Sequence, residues 1–294
     1  MYDIIIVGAG PAGLSAALYA LRANKKVLIF EANTYGGQII NAAKMENYPG
    51  IKSITGFDYA TELYNQVMDL GAEIKYETVI RIDENKNVIT NNGTYNSKAI
   101  ILATGAKNRK LGIKNENEYL GKGLSYCATC DGNFYKDKIV AVVGGGNTAI
   151  TDAIYLSDIV SKVYLIHRKD SFRADEKYIS ELKQKHNVEF VLNTNITRLY
   201  GDDILEGIEL DNGLNIALNG LFIAVGQEPK NEIFSNIINI DEKGYIISED
   251  GVHTNIDGIY VAGDARVKEL RQVVTAVSDG AIAATTAILE MKNK

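Results

Sequence analysis

Two stretches of this chain carry the same local code. Val7-Gly8-Ala9-Gly10-Pro11-Ala12-Gly13 follows the apolar run Ile4-Ile5-Ile6 and opens an Ala-rich segment. Val143-Gly144-Gly145-Gly146-Asn147-Thr148-Ala149 does the same after Ile139-Val140-Ala141-Val142. The two turns lie 136 residues apart, and the next apolar strand repeats at the same offset, Val27-Leu28-Ile29-Phe30-Glu31 against Val163-Tyr164-Leu165-Ile166-His167. A strand that runs through a Gly-rich turn into a helix and back to a second strand is a βαβ half of a dinucleotide-binding fold. One such turn often serves a tight bend alone. Two, each with its matched second strand, restrict the chain to a pair of related α/β units.

A further echo sets their arrangement. Ile100-Ile101-Leu102-Ala103-Thr104-Gly105 resembles Leu221-Phe222-Ile223-Ala224-Val225-Gly226 at an offset of 121, so the second unit is about 15 residues more compact between landmarks. The tail Gly258-Ile259-Tyr260-Val261-Ala262-Gly263-Asp264 reads as one more strand ending in a Gly-Asp turn, followed by an Ala-rich helix around residues 275–291. That tail reads as the returning part of the first unit. The expected fold class is α/β, with two Rossmann-like dinucleotide-binding domains. The second, 112–232, is inserted into a discontinuous first domain of residues 1–111 and 233–294.

The end of each second strand reads the ribose. Glu31 stands 23 residues after Gly8, and a carboxylate there accepts hydrogen bonds from ribose hydroxyls while repelling a 2′-phosphate. The first site therefore suits FAD or NAD. In the second unit the same position is His167, with Arg168, Lys169 and Arg173 behind it. Arg offers a bidentate fork and Lys a point charge to a 2′-phosphate, so the second site suits NADPH.

Composition narrows the rest. Of 294 residues, 31 are Lys or Arg and 37 Asp or Glu, a formal charge of −6 that argues against non-specific nucleic-acid binding. A hydrophobic share of 46% supports packed cores. The start Met1-Tyr2-Asp3 carries no basic leader, and no apolar run approaches the ~20 residues of a membrane span. The expectation is a cytoplasmic protein with no membrane association.

Only two cysteines occur, Cys127 and Cys130. They cannot build a disulfide scaffold and are too few for a structural zinc site, so no metal is expected. A CxxC pair can exchange with another disulfide, one thiolate attacking and the other resolving. Asp131 follows directly and can give or take the proton that thiolate departure requires.

Over essentially its full length the chain resembles the low-molecular-weight thioredoxin reductases, class II of the FAD-containing pyridine nucleotide-disulfide oxidoreductases. The matching residues are the two Gly-rich turns, Gly36-Gly37-Gln38 with Glu46-Asn47-Tyr48-Pro49-Gly50, Ala103-Thr104-Gly105 and Cys127-Ala128-Thr129-Cys130-Asp131. They continue with His167-Arg168-Lys169, Gly263-Asp264, Arg271-Gln272-Val273-Val274 and Asp279-Gly280-Ala281. The resemblance implies a homodimer that passes electrons from NADPH through FAD and the Cys127/Cys130 dithiol to oxidised thioredoxin. Cys130 would face the flavin, Cys127 would attack thioredoxin, and Asp131 would be the acid/base. FAD would be held by Gly8, Gly10, Pro11, Ala12, Gly13, Glu31, Gly37, Gln38, Asn47, Ala103, Thr104, Gly105, Gly263, Asp264, Arg271, Gln272 and Val273. NADPH would be held by Gly144, Gly146, Asn147, Thr148, Ala149, His167, Arg168, Lys169 and Arg173. The chain departs from the family pattern at Lys169, an arginine elsewhere, and at Thr151-Asp152, where the family carries Glu. The stretch 194–221 is also short. All three differences fall in the second unit and keep two alternatives open: a thioredoxin reductase fed by ferredoxin, and a non-catalytic Rossmann redox-sensing module.

Overall fold

The computed structural model describes residues 1–42, 44–248 and 250–292. The chain begins with β1 (Tyr2–Val7), α1 (Pro11–Arg22), β2 (Val27–Phe30), α2 (Gly56–Asp69), β3 (Glu73–Lys75), β4 (Val79–Ile82), β5 (Asn87–Thr90) and β6 (Thr94–Leu102). After β7 (Ala106–Asn108) come β8 (Leu124–Ser125), α3 (Ala128–Asp131), β9 (Ile139–Val143), α4 (Asn147–Ser157), β10 (Lys162–His167), α5 (Glu176–Lys183) and β11 (Val188–Leu192). Then follow β12 (Ile196–Tyr200), β13 (Gly207–Leu210), β14 (Asn215–Ala217), β15 (Gly220–Ile223), β16 (Gln227–Pro229), β17 (Ile259–Val261) and α6 (Val273–Lys292).

Two compact units result, Met1–Lys107 with Glu228–Lys294, and Asn108–Gln227. Their joins fall at 107/108 and 227/228, where the sequence reading puts them at 111/112 and 232/233.

In the first unit the sheet order is β3-β2-β1-β6-β5-β4, with β17 also on β6. β6 is nine residues long and divides its free edge. Its first half pairs antiparallel with β5, and Ile100, Ile101 and Leu102 pair parallel with β17. The parallel core is therefore β3-β2-β1-β6-β17. Strict alternation along β1 sends Ile4 and Ile6 to one face, against Ala16, Ala17, Ala20, Ala283 and Ala287, and Ile5 and Val7 to the other, with Phe30, Phe234 and Ile246.

The second unit repeats this order as β11-β10-β9-β15-β8. Its four matching strands follow the same sequence logic, but the fifth position is filled from the opposite direction along the chain. β17 arrives last in the first unit, and β8 arrives first in the second. The short stretch 194–221 is occupied by the antiparallel meander β12-β13-β14, a separate sheet that follows β11 in the chain as β4 and β5 follow β3.

By length and composition α6 is the one helix among the described residues that is long and apolar enough to cross a membrane. Its buried face, mostly alanines and Gly280, packs on α1. A Cβ on Gly280 would lie 2.1 Å from the Ala12 carbonyl oxygen, and the Ser15 hydroxyl donates to the Val277 carbonyl at 2.7 Å. The helix is a core element of the first unit.

Candidate active site

In both units the chemistry collects at the carboxyl ends of parallel strands, where open α/β sheets place their ligands. After β1, Gly8 takes φ +109°, and a Cβ there would sit 2.3 Å from the Ala103 carbonyl oxygen. Only glycine permits both the backbone angle and the approach. Gly10 caps α1 with no side-chain bond, and Pro11 opens the helix, so the N–H groups of the first turn face outward as an anion site. Glu31, next after β2, is anchored toward this turn. Its Oε2 accepts from the Ala9 N–H and its Oε1 from the Asn33 N–H, both at 2.9 Å. Gly37 lies against the same turn, its would-be Cβ 3.2 Å from Gly10 Cα, and it opens the short helical turn that carries Gln38.

The ends of β6 and β17 complete this edge. The Thr104 hydroxyl donates to Asn231 Oδ1 at 2.7 Å, and Asn231, fully buried, donates to the carbonyls of Gly244 and Ala265. The Gly263 N–H donates to Asp279 Oδ2 at 3.0 Å. Asp264 keeps a buried Oδ1 with no partner. Burial raises its pKa, and the charges of Lys268, Arg271 and Arg266 only partly offset this. Asn47 donates to Gln272 Oε1 at 3.1 Å, just before α6 opens at Val273. Arg271 lies 4.1 Å over the Tyr245 ring, and its Nε is buried without a partner. The bare helix terminus, the oriented Glu31 and the unpaired Asp264 oxygen fit a dinucleotide with an anionic pyrophosphate and several hydroxyls.

In the second unit Gly144 repeats the motif. Its φ is +154°, and a Cβ would lie 2.3 Å from the Ala224 carbonyl oxygen. Gly146 caps α4 with no side-chain bond, and nothing lies within 4 Å of its would-be Cβ. Thr148 and Ala149 follow in the first turn. Asn147 is turned toward the next loop, accepting from the Asp175 N–H at 2.8 Å, while the Arg173 N–H donates to Gly145 O at 2.7 Å. His167 ends β10 beside this turn. Its ring stacks on Phe172, and a Cβ on Gly145 would strike it at 2.2 Å. Burial, then the charges of Arg168, Arg173 and Lys169, lower its pKa, and its Nε2 is buried without a partner. Arg168, Lys169 and Arg173 are exposed and form no ion pair with a described carboxylate. The uncapped helix and three free cations fit a 2′-phosphorylated dinucleotide.

Cys127 and Cys130 form a disulfide with a Cα–Cα distance of 5.3 Å. Cys127 caps α3, its Sγ accepting from the Cys130 N–H at 3.2 Å. The pair begins two residues beyond the end of β8, which lies beside β15, itself beside β9. β8 and β9, which runs into the Gly144 turn, are therefore two strands apart in the same sheet and end at the same edge. Asp131 ends α3, and burial raises its pKa although the Ser125 hydroxyl, donating at 2.6 Å, pulls the other way. Tyr126 donates to Glu116 at 2.7 Å, and Glu116 accepts the N–H groups of Leu111 and Gly112.

Several residues here escaped sequence reasoning. Ser125 and Asn231 carry no motif. Asp279 lies in a matched stretch, but its partners Arg266 and Lys268 are brought to it only by the fold.

Two dinucleotide turns and a CxxC disulfide on one chain define a nicotinamide-linked disulfide oxidoreductase. The chain belongs to the pyridine nucleotide-disulphide oxidoreductase family, whose profile matches residues 2–280. It is 43% identical to the thioredoxin reductase of Mycoplasma genitalium over 303 aligned residues, covering 100% of this chain and 95% of that one. The thioredoxin reductase of Listeria monocytogenes is 40% identical, with 98% and 93% covered. Among solved structures, thioredoxin reductase from Streptococcus pyogenes superposes with a TM-score of 0.95 at 38% identity, covering 100% of this chain and 99% of the other. These relatives favour neither the ferredoxin-fed enzyme nor the redox-sensing module.

Proposed function

We propose that this protein is an NADPH-dependent thioredoxin-disulfide reductase. The observation that carries the reading is the Cys127–Cys130 disulfide standing at the same strand edge as the second nucleotide turn. The net reaction is NADPH + H⁺ + thioredoxin disulfide → NADP⁺ + thioredoxin dithiol.

When bound, NADPH supplies a hydride and FAD converts it to an electron pair at the disulfide. The chain's residues do the rest. The Gly8 turn, Glu31, Gly37, Gln38, Asn47, Thr104, Gly105, Asp264, Arg271 and Gln272 hold FAD. The Gly144 turn, Asn147, His167, Arg168, Lys169 and Arg173 hold NADPH.

Two electrons break the Cys127–Cys130 bond, leaving two sulfurs that share one added proton. The Cys127 thiolate attacks one sulfur of the thioredoxin disulfide, and the other thioredoxin sulfur departs as a thiolate. The Cys130 thiolate then attacks Cys127, restores the internal disulfide and releases the second thioredoxin sulfur. Asp131 holds and delivers protons during these departures, a task suited to a carboxyl whose pKa burial has raised. The working protein is a cytoplasmic homodimer.

The test is thioredoxin-dependent oxidation of NADPH by the purified holoprotein. Turnover is expected with NADPH and lost in Cys127→Ser and Cys130→Ser. Equal turnover in either variant, or turnover with reduced ferredoxin alone, contradicts the reading.

A further inference from the structure

We propose that Ser125 is a positioning residue for the proton held on Asp131, a hydroxyl that follows the charge of that carboxyl. The inference rests on the acid/base reading of Asp131. Ser125 is the last residue of β8 and is 4% exposed. Its Oγ donates to Asp131 Oδ2 at 2.6 Å and accepts from the Cys127 N–H at 3.0 Å. The same Oγ lies 3.4 Å from the Cys127 carbonyl oxygen. One hydroxyl thus touches the carboxyl and both backbone polar groups of the attacking cysteine.

A hydroxyl has one hydrogen and two acceptor sites. With Asp131 ionised, the hydrogen points to the carboxylate, and the bond is charge-assisted. With Asp131 protonated, the hydroxyl turns its hydrogen to the Cys127 carbonyl and accepts the carboxyl proton. The Cys127 N–H bond persists in both states. Ser125 therefore keeps Asp131 hydrogen-bonded whether or not it carries a proton, and no backbone movement is needed. Burial alone favours only the neutral form, and the hydroxyl supplies a partner that also stabilises the ionised form, so Asp131 can pass between the two.

Other titratable groups lie on the elements packed against this turn. Tyr135, just beyond α3, is held protonated, its pKa pushed up to about 12 by burial and then by the Asp131 charge. α4 packs against the same turn, with Tyr155 3.1 Å from the would-be Cβ of Gly132. α4 also carries Asp152, whose pKa burial raises to about 7. Asp152 is thus the rival source of any titration near neutrality.

The test is the pH profile of kcat/KM for thioredoxin at saturating NADPH, in wild type, Ser125→Ala, Asp131→Asn, the double variant, and Ser125→Ala with Asp152→Asn. Losing a donor to the ionised form raises the Asp131 pKa, so Ser125→Ala is expected to move the limb reporting Asp131 to higher pH by about one unit. That shift is expected to vanish on the Asp131→Asn background and to persist on the Asp152→Asn background. Ser125→Thr, which keeps the hydroxyl, is expected to restore the wild-type limb. An unmoved limb in Ser125→Ala overturns the proposal while the acid/base reading stands. An equal shift with Asp131→Asn present, or its loss with Asp152→Asn, also overturns it. A profile unchanged by Asp131→Asn alone overturns the acid/base reading and the proposal together.

Discussion

Removing Asp279 should loosen the first unit more than any other single carboxylate loss at the site. Its Oδ2 accepts from Gly263 N at 3.0 Å, Arg266 Nε at 2.9 Å and Lys268 Nζ at 2.8 Å, and its Oδ1 accepts from Arg266 Nη2 at 3.0 Å. The Lys268 side chain is only 6% exposed and Arg266 18%, so Asp279→Ala strips two largely buried cations of their hydrogen-bonded carboxylate and leaves only the Asp264 carboxyl near them. Breaking a buried pair from one side costs about 3–5 kcal/mol. In a unit of this size each kcal/mol lowers Tm by about 2–4 °C, giving a fall of roughly 6–20 °C. Removing all three charges together, as Arg266→Met, Lys268→Met and Asp279→Leu, leaves none of the three ion-paired groups behind without its partner and should recover at least half of that loss. Burial raises the Asp279 pKa, but the hydrogen bonds and charges of Arg266 and Lys268 outweigh it and leave the value low. Its contribution is therefore present above the ordinary carboxylate pKa and lost as pH falls through the depressed one. The gap between wild type and Asp279→Ala should be flat from about pH 6 to 8 and close only below about pH 4. Thermal melts by circular dichroism, with flavin release followed by fluorescence, measure this. A fall of less than about 3 °C, or a triple variant less stable than the single one, refutes the reasoning.

Two further outcomes are expected. His253 is held between Asp250 and Glu290, with Tyr260 donating to the same Glu290 at 2.6 Å. Its pKa is raised, first by the Glu290 hydrogen bond. Its stabilisation is thus complete below about pH 6.5 and fades as pH rises through the raised value. The Tm difference between wild type and His253→Gln should shrink on going from about pH 6 to 9, and a difference that grows contradicts the clamp. Gly145→Ala places a methyl against the His167 ring and should weaken NADPH binding by about tenfold or more, a loss of ~1.4 kcal/mol, while leaving flavin content at the wild-type level. Equilibrium titration with NADPH checks this, and an unchanged affinity refutes the steric argument.

Much of the architecture was legible because it obeys local rules. Gly8 and Gly144 are required where a turn needs positive φ and a carbonyl lies against the Cα, so their pattern survives in sequence. The alternation of Ile4, Ile5, Ile6 and Val7 announces a strand buried on both faces. The origin of the fifth strand was hidden, because β8 is two residues long and no periodicity marks it. The α6 helix reads as apolar only when averaged, since its burial comes from alanines and Gly280 rather than large side chains. At the redox pair the two cysteines and Asp131 stand together in sequence, whereas Ser125 reaches Asp131 only because α3 folds back over the end of β8. The clamp of Asp250, His253 and Glu290 spans 40 residues and carries no local signature.

The central claim is that NADPH electrons reach thioredoxin through the Cys127–Cys130 pair. Anaerobic titration of the flavin-loaded protein with NADPH, followed by quantifying the thiols formed, tests it most directly. Wild type is expected to take up about two equivalents of NADPH per chain, one reducing the flavin and one opening the disulfide, against about one in Cys130→Ser. Uptake of one equivalent by both proteins, with no thiol formed in wild type, would contradict it.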